Sequence, residues 1–165
     1  MSDLKHVLFV CTGNTCRSPM AEGLFRQAVA GRDDYEVSSA GVAACRRAPC
    51  NPETAALLSK RGAALNDFAS RQVADALLAA ATHVFAMTRG HLQTLESEFP
   101  EYSDKYYLVC EFAPPSSKGE CADVLDPIGL GRRAYEEVAA MFDIAIPAII
   151  AYIDQTWRSR EELVG

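Results

Sequence analysis

The chain has 165 residues, 49% of them apolar, and a formal charge of −6, so it can bury one sizeable core, and its acidic balance excludes general attraction for nucleic acid, anionic membranes or other polyanions. Any anion must therefore be held by local geometry. The first apolar run, Val7 to Val10, is too short for a signal segment or a membrane span, so the six cysteines, Cys11, Cys16, Cys45, Cys50, Cys110 and Cys121, are expected to be reduced thiols of a cytoplasmic protein rather than a disulfide framework.

Val7 to Val10 reads as a short β-strand, followed by a glycine-bearing loop and a helical pattern from Pro19 to Val29. Ser18 suits the N-cap of that helix, Pro19 its first position and Glu22 the return contact of a capping box. Tyr35 to Ser39 predicts a second strand ending at Ala40 and Gly41. Asn51 to Lys60 predicts a capped helix stopped by Gly62. Ser70 is placed as the cap of a helix over 71–81, and His83 to Thr88 as a buried strand leading into a helix through Leu92 and Leu95. Tyr107 to Cys110 is the fourth strand candidate, Pro114 to Glu120 a loop, and Ala134 to Trp157 a long helix with a candidate kink at Pro147. Strands alternating with helices imply βαβ units and a parallel sheet covered on both faces, with ligands bound beyond the strand carboxyl ends. No repeat or linker divides the chain, so one domain over 1–165 is expected.

The chemistry concentrates at the first strand–helix junction, Cys11-Thr-Gly-Asn-Thr-Cys-Arg-Ser18. Phosphoryl transfer requires charge stabilisation on three equatorial oxygens and an in-line nucleophile. At this junction successive backbone N–H groups and the positive helix end converge on an anion, and Arg17 supplies a planar fork for two phosphate oxygens. The same field favours Cys11 as a thiolate. Gly13 and Asn14 tolerate left-handed backbone, and Ser18 can hydrogen-bond the sulfur. A nucleotide-binding loop would end in Gly-Lys-Ser/Thr, which does not occur here. The leaving group needs an acid, for which Asp126, ahead of Pro127, is the candidate, although an Asp-Pro pair by itself is ordinarily a turn.

Val7 to Glu22, Ser39 to Gly41, Ala86 to Thr88 and Asp123 to Pro127 together resemble the low-molecular-weight protein tyrosine phosphatase family over most of the chain. The resemblance implies an α/β, three-layer αβα fold with a four-stranded parallel sheet. It implies Cys11 as nucleophile, Arg17 as phosphate clamp and Asp126 as general acid, and a cysteinyl-phosphate intermediate that needs no metal or cofactor. Thr12, Gly13, Asn14, Thr15, Cys16 and Ser18 would bind phosphate or support the loop. Cys16 is similar to the second loop cysteine of many members, which captures an oxidised Cys11 as a disulfide; plain packing is the alternative.

Tyrosine-directed members commonly wall the pocket with aromatic rings, which this chain lacks at Val42 to Pro49 and at Ile128 to Gly131. Between Asn14 and Cys16 those members usually carry an aliphatic residue, where this chain has Thr15. The loop resembles the protein-arginine phosphatase branch, in which a threonine here is associated with phosphoarginine, and a hydroxyl can pair with a guanidinium N–H. Thr15 and Ile128 are therefore the candidate selectivity positions. The expected substrates are phosphorylated protein side chains, phosphoarginine ahead of phosphotyrosine, met by a monomer with no nucleic-acid or membrane partner. Arsenate reduction, the alternative from another class, needs two further cysteines passing a disulfide outward, and 87–95 holds none. A non-hydrolysing phosphoprotein reader would be expected to lack Cys11, Arg17 or Asp126. His6, His83 and His91 look too scattered for a metal site, and Tyr135 is read as packing.

Overall fold

The computed structural model describes residues 4–157, so the ends of the expected domain range lie outside the described residues. Four parallel strands, β1 (Lys5–Cys11), β2 (Tyr35–Gly41), β3 (His83–Ala86) and β4 (Tyr106–Leu108), lie in the order β2-β1-β3-β4. Helices α1 (Arg17–Ala28), α2 (Pro52–Lys60), α3 (Asp75–Ala80), α4 (Arg89–Glu98) and α5 (Arg132–Thr156) cover the sheet.

Side chains of β1 alternate between two cores, as the two-residue period of a strand requires. Val7 and Phe9 pack with Phe25 of α1 and with Phe142 and Ile149 of α5, whereas Leu8 and Val10 pack with Leu78 of α3 and Leu95 of α4. Both faces of β1 are thus buried, which explains its unbroken apolar run. From β1 the chain crosses to β2 on one side and later to β3 on the other, so the carboxyl ends of β1 and β3 border the point where strand order reverses. Cys11 ends β1 there.

Three local expectations are corrected. Helix α1 begins at Arg17, with Cys16 as N-cap and no side-chain cap. Ser18 lies inside the first turn with its hydroxyl on Cys11, and Glu22 turns to Ser39 and Arg26 instead of closing a capping box. The first-turn N–H groups thus stay available to an anion. Second, the helix expected over 71–81 shrinks to Asp75–Ala80. Ser70 bonds Cys45 and Ala48 instead of capping, and 71–73 lie extended along the end of β2, exchanging backbone bonds with Gly41. Third, the fourth strand stops at Leu108 and continues as a 3-10 turn, Val109–Phe112. Helix α5 runs unbroken through Pro147.

One covalent expectation is also overturned. Cys110 and Cys121 form a disulfide with Cα atoms 5.3 Å apart, while Cys11, Cys16, Cys45 and Cys50 are free. The turn at 116–120, closed by Ser116 N–H on the Glu120 carbonyl and Gly119 N–H on the Ser116 carbonyl, doubles the chain back and brings the two within bridging reach. Nothing in their spacing announces that reversal.

Candidate active site

The loop from Cys11 to Ser18 is fixed by a buried relay. The amide of Asn14 donates to Ser18 Oγ (2.8 Å) and to Ser39 Oγ (2.9 Å), and its Oδ1 accepts from the Arg71 backbone N–H (3.0 Å). Ser39 in turn donates to Glu22 Oε1 (2.7 Å), a carboxyl whose pKa burial pushes up. Because Ser18 Oγ accepts from Asn14, its own proton is free to point at Cys11 Sγ, 2.8 Å away. That arrangement suits a thiolate, which only accepts.

Of the two residues expected to tolerate left-handed backbone, Asn14 adopts it (φ 56°) and Gly13 does not. Asn14 holds that conformation because its side chain is bonded at both ends. Gly41 is required for another reason: a Cβ there would fall on the Thr12 carbonyl oxygen. This approach lets the next two residues seal the loop, with Val42 N–H on the Cys11 carbonyl and Ala43 N–H on the Thr12 carbonyl, both 2.9 Å.

Arg17 is buried, and its Nη1 donates to the Val124 carbonyl (3.1 Å) while Nη2 lies 3.8 Å from Asp126 Oδ2. One guanidinium thus joins the loop to the segment carrying the candidate acid. Asp126 itself is 53% exposed and, among the described residues, accepts only the Ile128 N–H (3.2 Å), so its carboxylate stands at the rim. Leu125, Ile128 and Leu130 beside it are exposed aliphatics, which leaves that wall without a ring.

Thr15 is half-buried; its carbonyl accepts from the Asn51 N–H (2.8 Å), and its hydroxyl makes no hydrogen bond among the described residues. Cys16 is buried with Sγ 3.3 Å from the Tyr135 hydroxyl, and burial raises its pKa, so it is a neutral thiol beside Cys11. Tyr135 therefore reaches the loop rather than merely packing. Among the described residues no group of His, Cys, Asp or Glu is placed to hold a metal ion, and no helix is long and apolar enough to cross a membrane.

Three contributors are not legible in the sequence. Glu22 reads there as a capping-box contact and Ser39 as part of a family motif, whereas the relay that unites them joins the loop, β2 and α1 through buried side chains. His91 was set aside as scattered, yet its Nε2 lies 2.7 Å from Thr12 Oγ1. Its position in the first turn of a helix following a buried strand was the available signal, since such turns collect at the carboxyl edge of the sheet.

The family model described as low molecular weight phosphotyrosine protein phosphatase matches residues 6–159. The chain belongs to this family. As a low molecular weight phosphatase it is similar to the protein-arginine-phosphatase of Bacillus subtilis, 41% identical over 125 residues that cover 74% of this chain and 79% of that protein. It is also similar to low molecular weight protein-tyrosine phosphatase A of Mycobacterium tuberculosis, 35% identical over 94% of this chain and 95% of that one. Among solved structures, a mutant of the YwlE arginine phosphatase with a phosphorylated active site serine superimposes with a TM-score of 0.80, at 33% identity over 92% of this chain and 97% of the other. This phosphatase shares its four-stranded α/β fold with those relatives.

Proposed function

We propose that the chain hydrolyses phosphoarginine on proteins through a phosphorylated Cys11. The Cys11 thiolate attacks phosphorus in line, and the bond from phosphorus to the guanidinium nitrogen breaks. Asp126 gives its proton to the departing nitrogen. Asp126, now a carboxylate, takes a proton from water as that water attacks the cysteinyl phosphate, releasing inorganic phosphate and restoring the thiolate. Arg17 and the loop N–H groups hold the phosphoryl oxygens throughout. Ser18 supports the sulfur both as attacker and as leaving group.

The observation that carries the substrate choice is the Thr15 hydroxyl, half-buried in the nucleophile loop without a hydrogen-bond partner among the described residues, beside an acid-bearing stretch that lacks aromatic rings. A hydroxyl that only packed would gain nothing over the aliphatic alternative, whereas a guanidinium N–H meeting an aliphatic wall would be left unsatisfied, at a cost of about 1–3 kcal/mol. The identity to a protein-arginine-phosphatase supports the same reading. Cys16, on the same loop, is proposed to attack Cys11 once a peroxide has oxidised it to the sulfenic acid, forming the disulfide as the sulfenic oxygen leaves as water.

The test is the ratio of kcat/KM for phosphoarginine and phosphotyrosine peptides of matched sequence, with Cys11→Ser as the blank. The expected result is a preference for phosphoarginine that Thr15→Ile shifts toward phosphotyrosine by about tenfold or more. Phosphotyrosine preferred by both forms would make the protein a tyrosine phosphatase with Thr15 as packing. Turnover of neither would return attention to arsenate.

A further inference from the structure

His91 is 6% exposed and lies in the first turn of α4, capped by Thr88, whose Oγ1 accepts from the His91 backbone N–H (3.1 Å). Its Nε2 meets Thr12 Oγ1 at 2.7 Å, whereas Nδ1 is buried without a hydrogen-bond partner among the described residues. A buried N–H without an acceptor is rarer than an unpaired acceptor, which assigns the ring proton to Nε2, donated to Thr12. Burial first, and then the charge of Arg17, hold its pKa down to about 4, so the ring is neutral at neutral pH.

The same helix start grips the opposite loop. The Val124 N–H donates to the Met87 carbonyl (2.9 Å), the Arg89 N–H donates to Asp123 Oδ1 (3.0 Å), and Arg89 Nη2 donates to the Cys121 carbonyl (2.7 Å). Residues 87–91 therefore touch Thr12, the residue after the nucleophile, on one side and Cys121, Asp123 and Val124, just before Leu125 and Asp126, on the other.

We propose that His91 is a positioning residue that, through Thr12, sets the nucleophile loop in register with the loop that carries the general acid. The inference rests on Cys11 as nucleophile and Asp126 as acid, and is independent of the choice between phosphoarginine and phosphotyrosine. Among the described residues, the remaining hydrogen-bond anchor of Thr12 runs to the β2 side, through the Ala43 N–H on its carbonyl. Without His91 the loop would keep its Asn14–Ser18–Ser39 relay but lose its lateral tie to α4. A displaced acid costs most where the leaving group most needs a proton.

The test compares 4-nitrophenyl phosphate, whose leaving group departs readily, with phenyl phosphate, which depends on the acid. His91→Ala is expected to lose about tenfold in kcat on phenyl phosphate and about threefold or less on 4-nitrophenyl phosphate. Thr12→Val, which removes the same hydrogen bond from an exposed position, is expected to reproduce that pattern and to add little to His91→Ala. His91→Gln, which restores an amide N–H donor, is expected to recover most of the loss, and inorganic phosphate is expected to inhibit each variant as it inhibits the parent. Equal losses on the two esters, a wild-type profile for Thr12→Val, or loss of phosphate inhibition would overturn the proposal, the last because it would make His91 a support of the loop's own fold. Asp126→Asn serves as the reference: if it shows no discrimination between the esters, the acid assignment fails. If it discriminates and His91→Ala does not, the positioning role alone fails.

Discussion

The two loops that face each other across this site are built on opposite plans. In the loop from Cys11 to Ser18, Cys11, Asn14 and Cys16 to Ser18 are buried, and the loop is bonded from the side by Ser39, Arg71 and the Val42–Ala43 backbone, so its geometry is set before any ligand arrives. Apart from the buried Pro127, the stretch from Leu125 to Leu130 is exposed, and its proposed acid accepts one local hydrogen bond among the described residues. Groups that must hold developing negative charge gain from rigid placement in a dry setting. The group that meets a variable leaving group does not need it. On the proposed mechanism, recognition of phosphate is therefore invested in the buried half, and discrimination among leaving groups falls to the rim together with Thr15.

The sharpest way to break this contrast is Asp126→Asn. If the halves are separable, the variant loses about 10²- to 10⁴-fold in kcat, the range of a general acid, while its inhibition constant for inorganic phosphate stays near that of the parent. A parallel loss of phosphate binding would show that the rim helps to form the phosphate site. A smaller effect is expected from Ile128→Tyr, which adds a ring to the exposed wall. Offset aromatic contact with a phenyl leaving group is worth about 0.5–1.5 kcal/mol, so kcat/KM for aryl phosphates should rise about threefold to tenfold, with no gain on a phosphoarginine peptide. A gain on both would mean that the wall acts by bulk rather than by ring chemistry.

The same contrast governs what the sequence disclosed. The strand, loop and helix from Lys5 to Ala28 were legible because the signals are local: an apolar run, a residue type able to take left-handed backbone, and Arg17 at a helix start. What stayed hidden depends on distant partners. Asn14 is fixed by Arg71, 57 positions away, and Thr12 by His91, 79 positions away. Ser18 and Ser70 both read as caps because a serine ahead of an apolar helical pattern ordinarily is one; here the hydroxyl of Ser18 is taken by Cys11 and Asn14 of its own loop and that of Ser70 by Cys45 and Ala48. The Cys110–Cys121 bridge escaped notice because a reversal in a polar loop carries no periodicity. The fold class needed only the order of elements, so it survived these local errors.

Acid should act unevenly on the two halves, since the structure behind the phosphate loop contains buried neutral imidazoles. His83, stacked on Tyr107 and edge-on to Trp157, and His91 each have a pKa lowered to about 4, burial being the main cause. The unperturbed value is 6.5, so as pH falls the unfolded chain takes up these protons first. Their contribution to stability is fully present above pH about 6.5 and is lost progressively toward pH about 4. The melting temperature should fall across that window, and His83→Asn should flatten the decline, because an amide keeps polarity without a titrating proton. Since His83 lies at the start of β3 and touches neither loop, His83→Asn should leave the ratio of kcat/KM on the two aryl phosphates unchanged at pH 7. A change in that ratio would mean that strain in the core reaches the rim, and the separation of a rigid phosphate loop from an adaptable acid loop would no longer hold.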